Sequence, residues 1–183
     1  MDDAALVQSI VAGRVEDFRL VVVRYERTLF RFFARFGFAA EAREDLAQET
    51  FLRAFRALSS YDAARGSVAA WLFTIARNLA ASERGRARHL REVAASDRAL
   101  DARSERDGPV ELHERAEAVA RIRRALEGLP AALHSTFVLA EINDLSLNEV
   151  AAIEGCALGT VKSRVHRARE QLRAALSATE KAT

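Results

Sequence analysis

The sequence predicts an all-α protein made of two small helical domains joined by a flexible linker. Across the 183 residues, apolar side chains recur at intervals of three and four, and no segment shows the alternation typical of a β-strand. Every aromatic residue except Phe137 lies between Phe18 and Phe73, so the first part of the chain has an aromatic core and the last part an aliphatic one. Two cores of different composition indicate two domains.

The segment between these two parts has the composition of a linker. Residues 92–118 include no aromatic residue, few large aliphatic residues, a surplus of acidic side chains and the only Gly-Pro pair, Gly108-Pro109. This composition predicts a partly disordered, solvated tether. The predicted boundaries are 1–91 for the first domain, 92–117 for the linker and 118–183 for the second domain.

Apolar periodicity and local helix signals predict four helices in each domain. Those of the first domain run from Ala4 to Ala12, Val15 to Phe36, Ala40 to Leu58 and Ser67 to about Arg88. Those of the second run from about Glu117 to Leu129, Ala131 to Ile142, Leu147 to Glu154 and Leu158 to about Ala178. The sequence shows no internal repeat.

The composition argues against several classes of protein. No apolar run has transmembrane length, and the acidic start MDDAALVQSI lacks the regions of a signal peptide, so we expect a cytoplasmic protein. Cys156 is the single cysteine, which argues against a disulfide or a zinc site within the chain. The histidines are scattered along the sequence: His89, His113, His134 and His166. We therefore expect no metal, no cofactor and no catalytic centre.

Residues 145–172 carry explicit signals for two consecutive helices. Ser146 and Glu149 have the spacing of a capping box, which predicts a helix beginning directly after the serine. Gly155 can adopt the left-handed conformation that ends a helix, and a second helix is predicted to begin a few residues later. Two helices around a short turn with glycine predict a helix-turn-helix motif.

The second helix of this motif is basic and amphipathic. Its predicted buried stripe consists of Leu158, Val161, Val165, Ala168 and Leu172. The N-terminal half of such a helix contacts base edges in the major groove. Five polar residues are therefore candidate base readers: Thr160, Lys162, Ser163, His166 and Arg167. Three further residues are better placed for phosphates: Arg164, Arg169 and Arg173.

A second basic stripe lies in the first domain. It consists of arginines spaced by seven, four and three residues: Arg77, Arg84, Arg88 and Arg91. The polar loop before this helix lies between Tyr61 and Trp71. A basic helix beside a loop with aromatic neighbours is typical of proteins that hold single-stranded DNA. Trp71 also has apolar neighbours four and eight positions further on, which favours a place in the core.

The helix at 45–58 carries more apolar surface than one buried stripe usually needs. Its apolar residues are Leu46, Phe51, Leu52, Phe55 and Leu58, and its first turn carries the polar residues Asp45, Gln48 and Glu49. Such a helix can bury one face in its own domain and present another to a partner protein. A purely structural helix explains the same pattern, so both interpretations stay open here.

Together these segments resemble the sigma-70 family of bacterial transcription initiation factors, in the two-domain form called extracytoplasmic-function or group IV sigma factors. The resemblance covers about 18–88 and 118–176. Residues 45–58 resemble region 2.2, WLFTIARNLA at 71–80 resembles the helix of regions 2.3 to 2.4, and 129–172 resembles region 4. Three motifs in this order are characteristic of the family.

The resemblance implies three contact surfaces. The surface for the clamp helices of the largest polymerase subunit would include Asp45, Gln48, Glu49, Phe51 and Phe55. The surface for the minus-ten promoter element would include Asp62, Arg65, Ser67, Arg77, Asn78, Arg84 and Arg88. The surface for the minus-thirty-five element would include Thr160, Lys162, Ser163, Arg164, His166 and Arg167. The loop from Asp62 to Ser67 would hold a flipped base, although it is short, alanine-rich and lacks the second aromatic residue usual in the family.

The resemblance also implies a function and its partners. A sigma factor is no enzyme: it would bind core RNA polymerase, including the flap region, supply promoter specificity and be held by an anti-sigma factor until a stress signal. An alternative is a helix-turn-helix regulator whose first domain senses a ligand or dimerises, but this leaves the arginine stripe and the helix at 45–58 unexplained. An α-helical enzyme is a third possibility, for which the sequence offers no site.

Overall fold

The computed structural model describes residues 2–95, 110–142 and 145–180 of the chain. These residues form eight α-helices and no strand, which confirms the all-α prediction. The helices are α1 Asp3–Val11, α2 Phe18–Arg35, α3 Ala40–Arg56, α4 Val68–Ala95, α5 Val110–Glu127, α6 Ala131–Ala140, α7 Leu147–Glu154 and α8 Leu158–Glu180. Side chains are described for residues 2–87, 117–142 and 145–177.

The second helix begins later than the sequence predicts. Residues Val15–Asp17 form a short 3-10 turn, and α2 starts at Phe18. The hydroxyl of Ser9 in α1 donates a hydrogen bond of 2.7 Å to the carboxylate of Asp17. This bond ties the 3-10 turn to α1.

The helices on either side of the predicted linker are longer than expected. α4 continues past Arg88 to Ala95, and α5 begins at Val110 rather than Glu117. The additional residues are mostly Glu, Arg, Leu and Ala, which favour helix but give a weak apolar period in the sequence. Both helices therefore extend into the segment whose composition indicated a linker.

Aromatic residues of α2 and α4 form the centre of the first domain. Phe32, Phe33 and Phe73 are fully buried. The ring centroid of Phe32 lies 5.2 Å from that of Phe33 and 5.5 Å from that of Phe73, both in edge-to-face geometry. Such pairs contribute about 1 kcal/mol each beyond the burial of their surface. The aromatic core therefore fixes the position of α4, which carries the arginine stripe.

The two domains share a continuous buried cluster. Aliphatic residues such as Leu139, Val150 and Val161 fill the second domain, and they join the aromatic core where α4 contacts α7 and α2 contacts α6. The two fully separate cores expected from composition are therefore not found. A separate, smaller cluster consists of Leu126, Leu129 and Ala168, with Leu133, Phe137 and Leu172 packed against it.

The turn between α7 and α8 has the predicted geometry. The backbone N–H of Glu149 donates to the Ser146 hydroxyl at 3.2 Å, and the backbone N–H of Ser146 donates to the Glu149 carboxylate at 2.8 Å. Gly155 ends α7 with φ 63° and ψ 37°, in the left-handed region. The capping box and the glycine turn are both confirmed.

Gly155→Ala is expected to destabilise the second domain by about 1 kcal/mol. A Cβ at this position would meet no atom within 4 Å, so the cost comes from the left-handed backbone and not from a clash. Gly159→Ala is the matched control, because it lies in a regular turn of α8 with equally open space and should raise stability by up to about 1 kcal/mol. Thermal unfolding of both variants checks the opposite signs, and equal shifts would contradict the explanation.

Candidate nucleic-acid interface

α8 buries its apolar stripe and exposes its basic face. Val161 and Ala168 are fully buried, and Val165 is nearly so, on the side where α8 packs against α5, α6 and α7. The five predicted base readers are all exposed: Thr160, Lys162, Ser163, His166 and Arg167. A helix that buries one face against its partner helices can place its exposed face in the major groove of DNA.

Arg164 does not share this exposure. Its Nη1 lies 3.6 Å from Oε2 of Glu154 and 3.5 Å from the hydroxyl of Thr136, so its charge is engaged inside the protein. Arg169 is exposed and pairs with Glu141 at 3.4 Å. The structure therefore separates the five exposed residues that were predicted to read bases from Arg164, which is partly enclosed between α8, α7 and α6.

The loop before α4 is ordered by its own polar groups. Asp62 accepts a hydrogen bond of 2.9 Å from the backbone two residues later and caps a short 3-10 turn, in which Arg65 is exposed. The Tyr61 hydroxyl donates to the carbonyl of Gly66 at 3.2 Å, and its ring centroid lies 5.6 Å from that of Trp71. Both aromatic residues are half-buried and pack against the core, as the sequence favoured for Trp71.

A groove of about 500 Å³ lies between this loop and α1. Val7 and Val11 line it from α1, and Tyr61, Asp62 and Ala63 line it from the loop. Apolar side chains beside a few polar groups are typical of sites that bind small molecules.

Arg77 and Arg84 on α4 face the second domain. Nη2 of Arg77 lies 3.4 Å from Oε2 of Glu154, whose side chain is only 2% exposed. Nη1 of Arg84 donates to Nδ1 of His134 at 2.9 Å. Half of the predicted arginine stripe is therefore engaged with α6 and α7.

Two further members of the predicted minus-ten set are Ser67, immediately before α4, and Asn78, within α4. The Ser67 hydroxyl accepts from the N–H of Ala70 at 3.1 Å and donates to the carboxylate of Glu149 in α7. Burial alone would raise the pKa of Glu149, but hydrogen bonds from Ser67 and the capping serine outweigh it and lower the pKa. Asn78 is exposed, and the side chain of Arg88 lies outside the described residues.

Comparison with known proteins assigns both parts of the chain to one protein family. Residues 21–90 match the family model of sigma-70 region 2, and residues 120–172 match that of sigma-70 region 4. The RNA polymerase sigma-H factor of Pseudomonas aeruginosa is 33% identical over 95% of this chain and 93% of its own length. The ECF RNA polymerase sigma-E factor of Escherichia coli K12 is 34% identical over 94% of this chain and 93% of its own length. The chain is an extracytoplasmic-function sigma factor of the sigma-70 family.

Two solved structures have the same fold as this chain. CnrH in complex with the cytosolic domain of CnrY is 28% identical, with a TM-score of 0.72 over 96% of this chain and 97% of that chain. The sigma factor RpoE of Bartonella quintana in complex with the anti-sigma factor NepR is 29% identical, with a TM-score of 0.66 over 88% of this chain and 98% of that chain. A region 2 match in the first domain is not expected of a helix-turn-helix regulator with a sensing domain, so that alternative is not supported.

In this sigma factor the two candidate aromatic residues of α3 have different environments. Phe51 is 8% exposed and belongs to the core of the first domain. Phe55 is 40% exposed, and its ring lies edge-to-face on Phe18 with centroids 5.0 Å apart. Of the two, Phe55 alone is accessible to a partner protein.

The polar candidates of α3 lie on the accessible side of the helix. Asp45 and Gln48 are exposed, and Glu49 is half-buried and accepts a hydrogen bond of 2.7 Å from Arg53. Leu52 is 42% exposed and was not among the predicted contacts. Spacings of three, four and three bring four exposed residues onto one face, which we call the α3 face: Asp45, Gln48, Leu52 and Phe55.

Sequence analysis missed two polar residues that are central to this arrangement, His134 and Glu154. His134 is fully buried: its Nε2 donates to the carbonyl of Arg35 at 3.0 Å, and its ring lies edge-to-face on Phe36. Burial and, to a smaller extent, the neighbouring Arg84 cation lower the pKa of His134, the bond to the Arg35 carbonyl partly offsets both, and the net pKa is about 4. Nothing in the local sequence marks either residue, because their partners lie on distant helices.

The described part of the chain offers few other sites. Among residues 2–95, 110–142 and 145–180, no helix combines the length and apolar character needed to span a bilayer. Within the same ranges, no cluster of three or more His, Cys, Asp or Glu side chains could hold a metal ion.

Proposed function

We propose that this sigma factor recognises the minus-thirty-five element with the exposed face of α8. The observation that carries the proposal is the division of α8 into a buried apolar stripe and an exposed polar face, fixed by the capped α7 and the Gly155 turn. The base readers on that face are Thr160, Lys162, Ser163, His166 and Arg167, and Arg164 adds a phosphate contact. The DNA-binding domain spans about 118–183.

The first domain, about 1–91, binds the minus-ten element. The groove beside Tyr61 would take one base extruded from the duplex, which costs a few kcal/mol and is offset by the contacts in the groove. Asp62, Arg65 and Ser67 in the loop would contact this base or its neighbours. The strand that leaves the groove would follow α4 along Arg77, Asn78, Arg84 and Arg88.

The α3 face binds the polymerase clamp helices. It combines exposed apolar surface with polar groups at its edge, which is the composition of a protein-binding surface and not of a solvated helix. Because Phe51 is buried, its role is to support this face from beneath. Residues 92–117 tether the two domains and allow both to reach the same promoter.

An anti-sigma factor holds this protein inactive. The support is the similarity to RpoE of Bartonella quintana, whose structure is a complex with the anti-sigma factor NepR. The protein has no catalytic activity of its own and acts in the cytoplasm, where RNA polymerase and promoter DNA are located.

The test is transcription by a reconstituted holoenzyme. Core polymerase mixed with this protein should initiate at a defined set of sites in a promoter library, whereas core polymerase alone should not. The absence of specific initiation, with a protein that binds core polymerase normally, would exclude the proposed function.

Arg167→Ala is expected to weaken one base preference in the minus-thirty-five element by about 1 to 3 kcal/mol. The reason is that Arg167 lies on the exposed face in the N-terminal half of α8, where base edges are read. Arg173→Ala on the same helix is the control, since a phosphate contact should be lost equally on every sequence. Binding to a set of single-base variants of the element measures both, and a uniform loss for Arg167→Ala would make this residue a phosphate contact.

A further inference from the structure

Helix α1 forms one side of the groove that is proposed to hold an extruded base. The groove lies between α1 and the segment 58–63, and we call it the base groove. Its α1 side consists of Val7, Gln8, Val11 and two alanines. Its volume of about 500 Å³ falls within the range of about 300 to 1,000 Å³ that is usual for small-molecule sites. Half of its lining therefore comes from a helix that the predicted minus-ten set does not include.

Contacts with α2 hold α1 in a fixed orientation. The carboxylate of Asp3 accepts hydrogen bonds from the guanidinium of Arg24 and from the hydroxyl of Tyr25. Leu6 and Ile10 on the inner face of α1 are buried in the core. The helix also contacts the 3-10 turn at 58–60 directly. The residues of α1 that line the base groove are therefore presented by a rigid element.

Gln8 and Asp62 have unused hydrogen-bonding capacity at the base groove. Gln8 is exposed, and its side-chain amide has no hydrogen bond to any other residue in the described part of the chain. Asp62 accepts from the N–H of Ala64 through Oδ1, whereas its Oδ2 has no such partner among residues 2–95, 110–142 and 145–180. The Tyr61 hydroxyl, in contrast, already donates to the Gly66 carbonyl. Gln8 and Asp62 are therefore available to a ligand.

We propose that Gln8 is a specificity-determining residue, which reads the Watson–Crick edge of the extruded base together with Asp62. This proposal rests on the proposed function, since it assumes that the base groove holds that base. A carboxylate can only accept hydrogen bonds, so Asp62 favours a base with an exocyclic amino group. A glutamine amide both donates and accepts, so Gln8 can pair with the ring nitrogen beside that amino group. Thymine has no amino group and is the base that this site holds most weakly.

The exposure of Val11 is consistent with a base in the groove. Val11 is 58% exposed, although Val7, one helical turn earlier on the same side of α1, is only 3% exposed. A base lying against Val11 covers this apolar surface and gains affinity without distinguishing one base from another, because every base has a similar face. Two tasks are thus divided along α1: the valines contact the face of the base, and Gln8 contacts its edge.

The experiment measures initiation by holoenzyme assembled from core polymerase and the full-length chain. The promoters carry each of the four bases in turn at every position of the minus-ten element. Each rate for a variant is divided by the wild-type rate on the same promoter, so that the different cost of opening each base pair cancels. The wild-type holoenzyme is expected to initiate least well when thymine occupies the extruded position.

Gln8→Glu removes the donor of the amide and leaves a group that can only accept. At one position, initiation with adenine or cytosine should fall about three- to tenfold, because the ring nitrogen of these bases is an acceptor. Guanine has two adjacent donors on this edge and should be held at least as well as before. Asp62→Asn still accepts from Ala64 but replaces the free acceptor with a donor, so it should reduce the discrimination against thymine at the same position.

Two controls separate edge reading from other losses. Val11→Ala should lower initiation by a similar factor with all four bases, because it removes only contact with the face of the base. Gln171→Glu makes the same chemical change as Gln8→Glu at an exposed residue of α8, outside the base groove. It should leave the base preferences of the minus-ten element unchanged.

The outcomes distinguish this inference from the proposed function. If the wild-type holoenzyme initiates specifically and Gln8→Glu either keeps every base preference or loses activity equally with all four bases, the role of Gln8 is overturned and the proposed function stands. Absence of specific initiation by the wild-type holoenzyme would overturn the proposed function, and this inference with it. A change of base preference at a single position, produced by both Gln8→Glu and Asp62→Asn, supports the inference.

Discussion

Phe51→Ala is expected to unfold the first domain, whereas Phe55→Ala is expected to leave it folded and to weaken polymerase binding. Phe51 is 8% exposed within the core, so its truncation leaves a cavity and costs about 3 to 5 kcal/mol. The free energy of unfolding of a typical domain is only about 5 to 15 kcal/mol. A loss of about 3 to 5 kcal/mol therefore removes half or more of the stability of a domain near the lower end of that range. Phe55 is 40% exposed and loses mainly its edge-to-face contact with Phe18, about 1 kcal/mol.

The measurement pairs thermal unfolding, followed by circular dichroism, with binding to core polymerase. Phe55→Ala should retain a cooperative transition and lose about tenfold or more in affinity, as expected for an aromatic residue at the centre of a protein interface. Leu52→Ala, on the same face, should behave in the same way with a smaller loss. Normal polymerase binding by a folded Phe55→Ala would remove the α3 face from the proposed interface.

Lowering the pH from 7 to 5 is expected to destabilise the folded protein through His134 by about 2 kcal/mol. In the folded state Arg84 can only donate a hydrogen bond and the Arg35 carbonyl can only accept one. Nδ1 of His134 must therefore be unprotonated and Nε2 protonated, which is the neutral ring. Adding a proton at Nδ1 would lose the bond from Arg84 and place two cations side by side.

The direction of the effect follows from the two pKa values of His134. The ordinary pKa of 6.5 applies when the ring is in water, and the folded pKa is lowered to about 4. Above pH 7 the ring is neutral in both states and contributes no pH dependence. Between pH 6.5 and 4 the unfolded chain binds the proton and the folded chain does not, so stability falls as the pH falls.

Two histidine variants isolate this contribution. His134→Gln can still donate to the Arg35 carbonyl and accept from Arg84, but it does not titrate, so its stability should depend less on pH between 7 and 5. His166→Gln removes an exposed histidine beside Glu170 and should keep the wild-type dependence. Denaturant unfolding at several pH values measures both, and identical slopes for wild type and His134→Gln would rule out His134 as the titrating group.

Features that depend on neighbouring residues were predictable from the sequence. The capping box of Ser146 and Glu149 and the left-handed Gly155 depend on residues within one turn of each other, and both are confirmed. The bounds of α7 were predicted to the residue for the same reason. The bounds of α4 and α5 were less accurate, because their charged ends form helix without an apolar period.

Features that depend on distant residues were not predictable from one sequence. Phe51 and Phe55 are the same residue type one helical turn apart, and only the packing of α2 against α3 distinguishes the buried ring from the accessible one. In the sequence, Glu154 is only the last residue of a short predicted helix, and His134 is only one of four scattered histidines. Their importance arises from the contact between α4 and α7 and from the packing of α6 against α2, for which local patterns carry no signal.

The length of α4 has a consequence for how the first domain contacts α6 and α7. α4 is one helix of 28 residues, about 42 Å long at about 1.5 Å per residue. Arg77 and Arg84 lie on this single helix, and Ser67 immediately precedes it, so the three residues keep fixed spacings relative to one another. Their bonds to Glu154, His134 and Glu149 therefore reach α6 and α7 from one rigid element, so a tilt of α4 is expected to disturb all three bonds together.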